Sequence, residues 1–265
     1  MRTDLTALVT GGTSGIGLET AKALAARDVR VYTLSRRPAE LDGITSLQAD
    51  VTDEEAVREA VRKIKEEAGR LDILVNCAGM GISGAIEFTE AADMRRQFDV
   101  NFFGMANVTK AVLPVMRKQG GGTIVNVSSV AAPVAIPFQA YYSATKAAIN
   151  AYTAALANEV RPFGIRVTAV QPGDIRTGFT AARAKSAVGD DVYGGRISRS
   201  VSKMEHDEQN GMDPAKAGEY LARQALKKRL PPVSTVGFSY KAVVALARLL
   251  PPSLFNRIIG SLYAK

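Results

Sequence analysis

The stretch Thr10-Gly11-Gly12-Thr13-Ser14-Gly15-Ile16-Gly17 decides the fold. It follows a short apolar run, Leu5 to Thr10, and precedes apolar residues at helical spacing, Leu18, Ala21, Leu24 and Ala25. It therefore joins a first strand to a first helix. Glycines at such a junction permit a tight turn and close approach of backbone to a pyrophosphate, and the helix N-terminus supplies positive potential there. The spacing is Gly-x-x-x-Gly-x-Gly, not the more familiar Gly-x-Gly-x-x-Gly.

Outward from that loop the same alternation continues. Val29 to Leu34, Ser46 to Val51, Leu71 to Val75, Thr123 to Val127, Ile165 to Val170 and Val233 to Val236 are predicted strands. Between them, Thr52 to Glu55 has the form of a capping box opening a helix to about Ala68. Helical patterns follow over Ala91 to Lys118 and Tyr142 to Val160, and Asp213-Pro214 makes a further helix start. Strands alternating with helices predict an α/β fold: a Rossmann-like, doubly wound parallel sheet of about seven strands with helices on both faces. Residues 1–238 read as a single catalytic domain. Within it, the pattern is lost from Arg176 to Gly211, and this irregular stretch (about 175–212) is expected to act as a lid. Residues 239–265 form an apolar and basic helical extension.

Composition narrows the class. The chain has 265 residues, 46% hydrophobic and 23% charged, as in an ordinary globular protein. The single cysteine, Cys77, allows no internal disulfide and reads as a small buried hydrophobe. No signal-peptide layout or membrane-spanning run is visible, and a cytoplasmic location is expected. No residues cluster at metal-ligand spacing, so no metal is expected. The formal net charge is +8, and it lies wholly in the last 45 residues: Leu221 to Lys265 holds eight Lys or Arg and no Asp or Glu. No aromatic interleaving accompanies this charge, so nucleic acid is not the expected partner.

At the end of the second strand an acidic residue would bind the ribose 2′-hydroxyl of NAD. This chain has Leu34-Ser35-Arg36-Arg37 instead, and guanidinium groups suit a 2′-phosphate, so NADP(H) is preferred over NAD(H). Further on, Tyr142 and Lys146 stand four residues apart and share one helix face. A free phenol titrates near pH 10, and a fixed positive charge beside it would lower that value, making the pair an acid/base device.

Taken together with Asn76-Cys77-Ala78-Gly79, Asn101 within Val100-Asn101-Phe102-Phe103-Gly104, Ser128-Ser129, and Pro172-Gly173 with Thr177, these segments resemble a short-chain dehydrogenase/reductase over residues 5 to 180. The departure is Cys77, where the family more often has a second Asn. The resemblance implies an oxidoreductase that interconverts a ketone or aldehyde and an alcohol by hydride transfer. It implies Tyr142 as the acid/base and Lys146 as the residue that lowers the phenol pKa and holds the nicotinamide ribose. Ser129, rather than Ser128, would orient the carbonyl, and Asn101 would stabilise a helix kink and a water linking Lys146 to solvent. The cofactor groups implied are Gly11, Thr13, Ser14 and Ile16 at the phosphates, with Ser35 and Arg36 at the adenosine ribose. Asp50, ending the third strand, and Val51 would meet the adenine. Asn76 and Gly79 would pass beneath the ribose, and Pro172, Gly173, Ile175 and Thr177 would face the carboxamide. A homodimer or homotetramer is also implied.

The substrate is expected to be a small carbonyl or alcohol, bound between the helix of Tyr142, the loop Ala131 to Gln139 and the lid. That loop is apolar, Pro133 to Phe138, which leans toward a hydrophobic substrate. The sole histidine, His206, reads as a surface residue. After Pro251-Pro252, with Ser253 as a candidate N-cap, Leu254, Phe255, Ile258, Ile259 and Leu262 form an apolar stripe. This tail either packs on its own body or an oligomer partner, or lies peripherally on an anionic membrane. Two rival functions remain. A sugar-nucleotide epimerase or dehydratase shares the Tyr-x-x-x-Lys unit but carries a different glycine loop. A non-enzymatic NADP-binding sensor or scaffold would not need the Tyr142 hydroxyl.

Overall fold

A computed structural model describes residues 5–264 of the chain. Seven parallel strands form the sheet. In chain order the strands are β1 (Thr6–Thr10), β2 (Arg30–Ser35), β3 (Ile44–Gln48), β4 (Ile73–Asn76), β5 (Ile82–Ser83), β6 (Gly122–Val127), β7 (Ile165–Gln171), β8 (Ala184–Lys185) and β9 (Val233–Thr235). The main sheet runs β3-β2-β1-β4-β6-β7-β9, and β5 pairs with β8 in a separate two-residue ladder. Register is fixed at the centre, where Ala7 faces Val31 on one side and Ile73 on the other.

The helices are α1 (Gly15–Ala25), α2 (Glu54–Ala68), α3 (Ala91–Phe98), α4 (Gly104–Lys118), α5 (Ala140–Glu159), α6 (Phe179–Ala182), α7 (Arg196–Gln209), α8 (Pro214–Leu226), α9 (Phe238–Leu249) and α10 (Pro252–Tyr263). Because side chains alternate along a strand, β1 feeds two cores. Leu8, with Leu34, Leu74 and Ile124, packs on Val57, Val61 and Ile64 of α2 and Val108, Val112 and Met116 of α4. Ala7 and Val9, with Val31, Val75 and Val125, pack on Ala21 and Leu24 of α1 and Leu221 and Ala225 of α8. Strands buried on both faces explain the near-continuous apolar runs in the sequence.

Several local expectations are corrected. The third strand is Ile44–Gln48, ending before Asp50, so Asp50 stands in the turn that follows. Thr52 is not the cap of α2. Asp53 is, its carboxylate accepting from the Glu55 and Ala56 amides at 3.0 Å each. Thr52 instead donates its hydroxyl to Asp50 at 2.9 Å. The long 91–118 helix is broken by a π-helical turn, Asp99–Phe103, between α3 and α4. The segment after Arg176 is more regular than its composition suggested, since it holds α6, β8 and the fourteen residues of α7. The buried side of α7 is Ile197, Ser200, Val201 and Met204, and its three apolar residues are too weak a stripe to stand out among its charges. At α10 the N-cap is Pro251, and Ser253 lies inside the helix.

Candidate active site

The strand order reverses between β1 and β4, and a crevice opens at their carboxyl ends. It has a volume of about 1090 Å³, and its lining includes Gly11, Thr13, Ser14, Ser35, Arg36, Asp50, Val51 and Gly79. Gly11 adopts φ +63°, a conformation that favours glycine. A Cβ on Gly17 would fall 2.3 Å from the Gly11 carbonyl oxygen, so the glycine loop and the start of α1 are in backbone contact. Ser14 stands at the N-cap of α1 but makes no side-chain cap bond, which leaves the first amides of α1 for another acceptor. The buried Ser35 hydroxyl also has no partner among the described residues.

The remaining cofactor candidates lie outside the crevice lining. Ile16, in the first turn of α1, packs partly into the core. Asn76 is buried, and its amide donates to Asn126 at 2.9 Å and to Thr109 at 3.2 Å. Asn126 in turn donates to Thr153 of α5 at 2.9 Å. These buried polar bonds tie β4 and β6 to α4 and α5 and so hold the helix that carries Tyr142. The Pro172 carbonyl accepts from Val130, and Gly173 is covered by the Tyr240 ring. Ile175 bridges to Met212. Thr177 reaches back across the fold to Gly15, with carbons 3.5 Å from where a Cβ there would stand.

Ser129, Tyr142, Lys146 and Asn101 come together around α5. Ser128 is buried and donates to the Lys146 carbonyl at 3.0 Å, whereas half-buried Ser129 accepts from the Ala131 amide at 3.0 Å and faces the Tyr142 phenol, whose pKa it draws down. Lys146 is buried, donates from Nζ to the Val127 carbonyl at 2.9 Å, and lies 5.5 Å from the centroid of the Tyr142 ring. Asn101 occupies the π turn. Its Oδ1 accepts from the Met80 amide at 2.8 Å, and its Nδ2 donates to the Met80 carbonyl at 3.0 Å and to Thr145 at 3.2 Å. The helix kink expected at Asn101 is thus the π turn itself.

Burial dominates the electrostatics of the pair. Burial pushes the Tyr142 phenol up to about 12, against a smaller downward pull from Ser129. Burial pushes the Lys146 ammonium down to about 8. The Lys146 ammonium donates to a backbone carbonyl and stands beside the Tyr142 ring. Tyr142 is therefore protonated at neutral pH and Lys146 is mostly charged.

Other residues around the site carry no local sequence motif. Phe179 meets Tyr142 with ring centroids 5.8 Å apart and planes tilted by 55°, and it also lines the crevice, so it stands between the two. Arg183 lies 5.7 Å over Phe179 and is ion-paired with Glu208, which also accepts from Thr180 at 2.7 Å. Asp174 accepts from the Tyr240 hydroxyl at 2.7 Å, and burial raises its carboxyl. The apolar loop after Ser129 is largely consumed in packing. Ile136 and Phe138 seat α7, and Val134 seats α10. Cys77 packs into the core, and burial pushes its thiol up to about 12, as suits an inert side chain. His206 is exposed.

A parallel sheet with a glycine-lined crevice at its switch point, beside a Ser-Tyr-Lys cluster, describes a dinucleotide-dependent oxidoreductase. The sequence profile of the short chain dehydrogenase family matches residues 5–187, and the chain belongs to that family. It is 41% identical to a 3-ketodihydrosphingosine reductase of Bacteroides thetaiotaomicron, over 97% of both chains. Its fold is similar to that of a short-chain dehydrogenase from Streptomyces avermitilis, with a TM-score of 0.85, 30% identity, and coverage of 97% of this chain and 96% of that one. It is also similar to a 3-ketoacyl-(acyl-carrier-protein) reductase from Brucella melitensis complexed with NADH, with a TM-score of 0.74 and 27% identity, over 88% of this chain and 96% of that one. The protein is thus a carbonyl–alcohol oxidoreductase using a nicotinamide dinucleotide. The crevice fits such a group: it offers a bare helix N-terminus, an unpartnered Ser35 hydroxyl and backbone-lined walls.

Proposed function

We propose that this protein is an NADPH-dependent reductase of a ketone carried on a long apolar chain, of the 3-ketosphingoid class. The observation that carries this reading is the gathering of Ser129, Tyr142 and Lys146 around α5, with burial keeping the phenol protonated. A phenol that keeps its proton at neutral pH is an acid, and ketone reduction needs one at the carbonyl oxygen. When bound, the dinucleotide supplies the hydride to the carbonyl carbon. Tyr142 gives its proton to the oxygen, and Ser129 orients that oxygen by a hydrogen bond. Lys146 keeps positive charge beneath the site, and Asn101 holds the Met80 segment in place. The preference for NADPH is supported by Arg36 and Arg37 at the adenosine end, where among the described residues neither has a carboxylate in ion-pair range. The substrate class is supported by the full-length similarity to the Bacteroides reductase.

The test is loss of NADPH absorbance over a panel of ketones: 3-keto long-chain amines, β-ketoacyl thioesters, steroids, small diketones and sugars. The long-chain keto amine should turn over fastest, and faster with NADPH than with NADH. Tyr142→Phe should lose about 10²–10⁴-fold in rate while still binding NADPH. Equal turnover by Tyr142→Phe would reject the acid role. A best substrate among sugars or small diketones would reject the apolar-chain reading.

A further inference from the structure

The C-terminal pair α9 and α10 is fixed to the body along one face. Phe255 and Ile259 bury against Val134, with Val130, Ala247 and Leu250 at the rim. The Tyr240 hydroxyl donates to Asp174, and that of Tyr263 to Asp207 at 3.2 Å. The opposite face of α9 is apolar and bare. Phe238, Ala242, Leu246 and Leu249, at i, i+4, i+8 and i+11, share one side of the helix. Phe238 is 89% exposed and Leu249 80%. Leu254, at the start of α10, is exposed as well. A face of this kind, on a helix whose other side is already satisfied, marks an interaction surface.

The charge beside it selects the occupant. Lys241 and Arg248 flank the apolar stripe of α9, Arg257 lies on α10, and no acidic residue occurs from Leu221 to Lys265. Among the described residues none of these three has a carboxylate within ion-pair distance. A second copy packed antiparallel on this face by two-fold symmetry would bring the Lys241–Arg248 edge beside its own copy, a like-charge contact that is costly. No described helix is long and apolar enough to cross a membrane. An apolar helix face edged by Lys and Arg is the arrangement that lies in the plane of a negatively charged bilayer surface. We infer that α9, with the start of α10, docks the enzyme on anionic phospholipid. The inner side of α10 rests on Val134, in the loop between Ser129 and Tyr142, so the docked face adjoins the catalytic loop. Docking does not depend on the reductase reading.

Co-sedimentation of the full chain with phosphatidylcholine vesicles, with and without phosphatidylglycerol, tests this. The wild type should pellet only with phosphatidylglycerol vesicles, and raised salt should release it. Lys241→Gln/Arg248→Gln should weaken binding on the order of thirty-fold, from the loss of two cations at the surface. Phe238→Ser/Leu249→Ser should leave the protein in the supernatant. Unchanged melting curves by circular dichroism establish that both variants fold, whatever their activity. A wild type that stays in the supernatant with phosphatidylglycerol at low salt overturns the inference. So does a Phe238→Ser/Leu249→Ser protein that binds vesicles normally but falls to a smaller oligomer by light scattering, which would assign the face to a second copy.

Discussion

Replacing Arg183 by methionine should destabilise the fold far more than replacing any surface arginine. The Arg183 side chain is 0% exposed, and its partner Glu208 only 15%. Removing the guanidinium leaves the Glu208 carboxylate with Thr180 as its one remaining side-chain donor. Breaking a buried pair by deleting one member costs about 3–5 kcal/mol, because the other charge is left uncompensated. For a chain of this size that corresponds to a fall in Tm of roughly 10 °C. Glu208→Gln should also destabilise, since it leaves the buried guanidinium without a counter-charge. The double variant Arg183→Met/Glu208→Gln should recover most of the loss, because a buried ion pair is worth little against a neutral replacement. Urea and thermal unfolding followed by circular dichroism, on both single variants and the double, give the coupling energy directly. A single-variant loss below about 1 kcal/mol, or additive losses in the double variant, would refute the argument that α6 and α7 are pinned by a dry ion pair.

Two further outcomes are expected. The reduction rate should hold from neutral pH to about 8 and then fall, because burial sets Lys146 near 8 and its charge is lost above that value while Tyr142 keeps its proton. Lys146→Arg retains the charge and should carry the falling limb to higher pH, so an unmoved limb would assign it to another group. Asp53→Ala should lower the urea midpoint by the equivalent of about 1 kcal/mol, the value of an N-cap, while Thr52→Ala should have a smaller effect. The reverse order would restore Thr52 as the cap.

What was legible in the sequence was short in range. The glycine loop, the alternation of strands and helices, and the Tyr142–Lys146 spacing are each carried by a few adjacent residues, and the parallel sheet follows from them. The juxtaposition of Ser129 with Tyr142 was legible too. Contacts between distant positions were not. Arg183 and Glu208 are 25 residues apart, and nothing near either marks the other. Asn76 and Asn126 are paired at a separation of 50, through neighbouring strands whose register only the fold defines. The apolar run Pro133 to Phe138 shows a different kind of miss. Composition signals that side chains will be buried but does not say against what, and here they bury against α7 and α10. The four-residue spacing of Tyr142 and Lys146 fixes a helix face but not where a long side chain ends. The ammonium goes to the Val127 carbonyl.

The π turn at Asp99–Phe103 has a consequence for how this segment can change. It accommodates one extra residue between α3 and α4 as a local bulge. Asn101 meets Met80 and Thr145 while α4 still presents Val108, Val112 and Met116 to the core. Deleting any single residue of the turn would let the two helices fuse into one regular α-helix. The flanking helices would keep nearly the same phase, because the wide turn already absorbs its extra residue, but the bulge that carries Asn101 to Met80 and Thr145 would be lost. No point substitution makes that change or reverses it. The tie to α5 therefore needs two things at once, the residue count that makes the bulge and the Asn101 side chain that the bulge presents to Thr145.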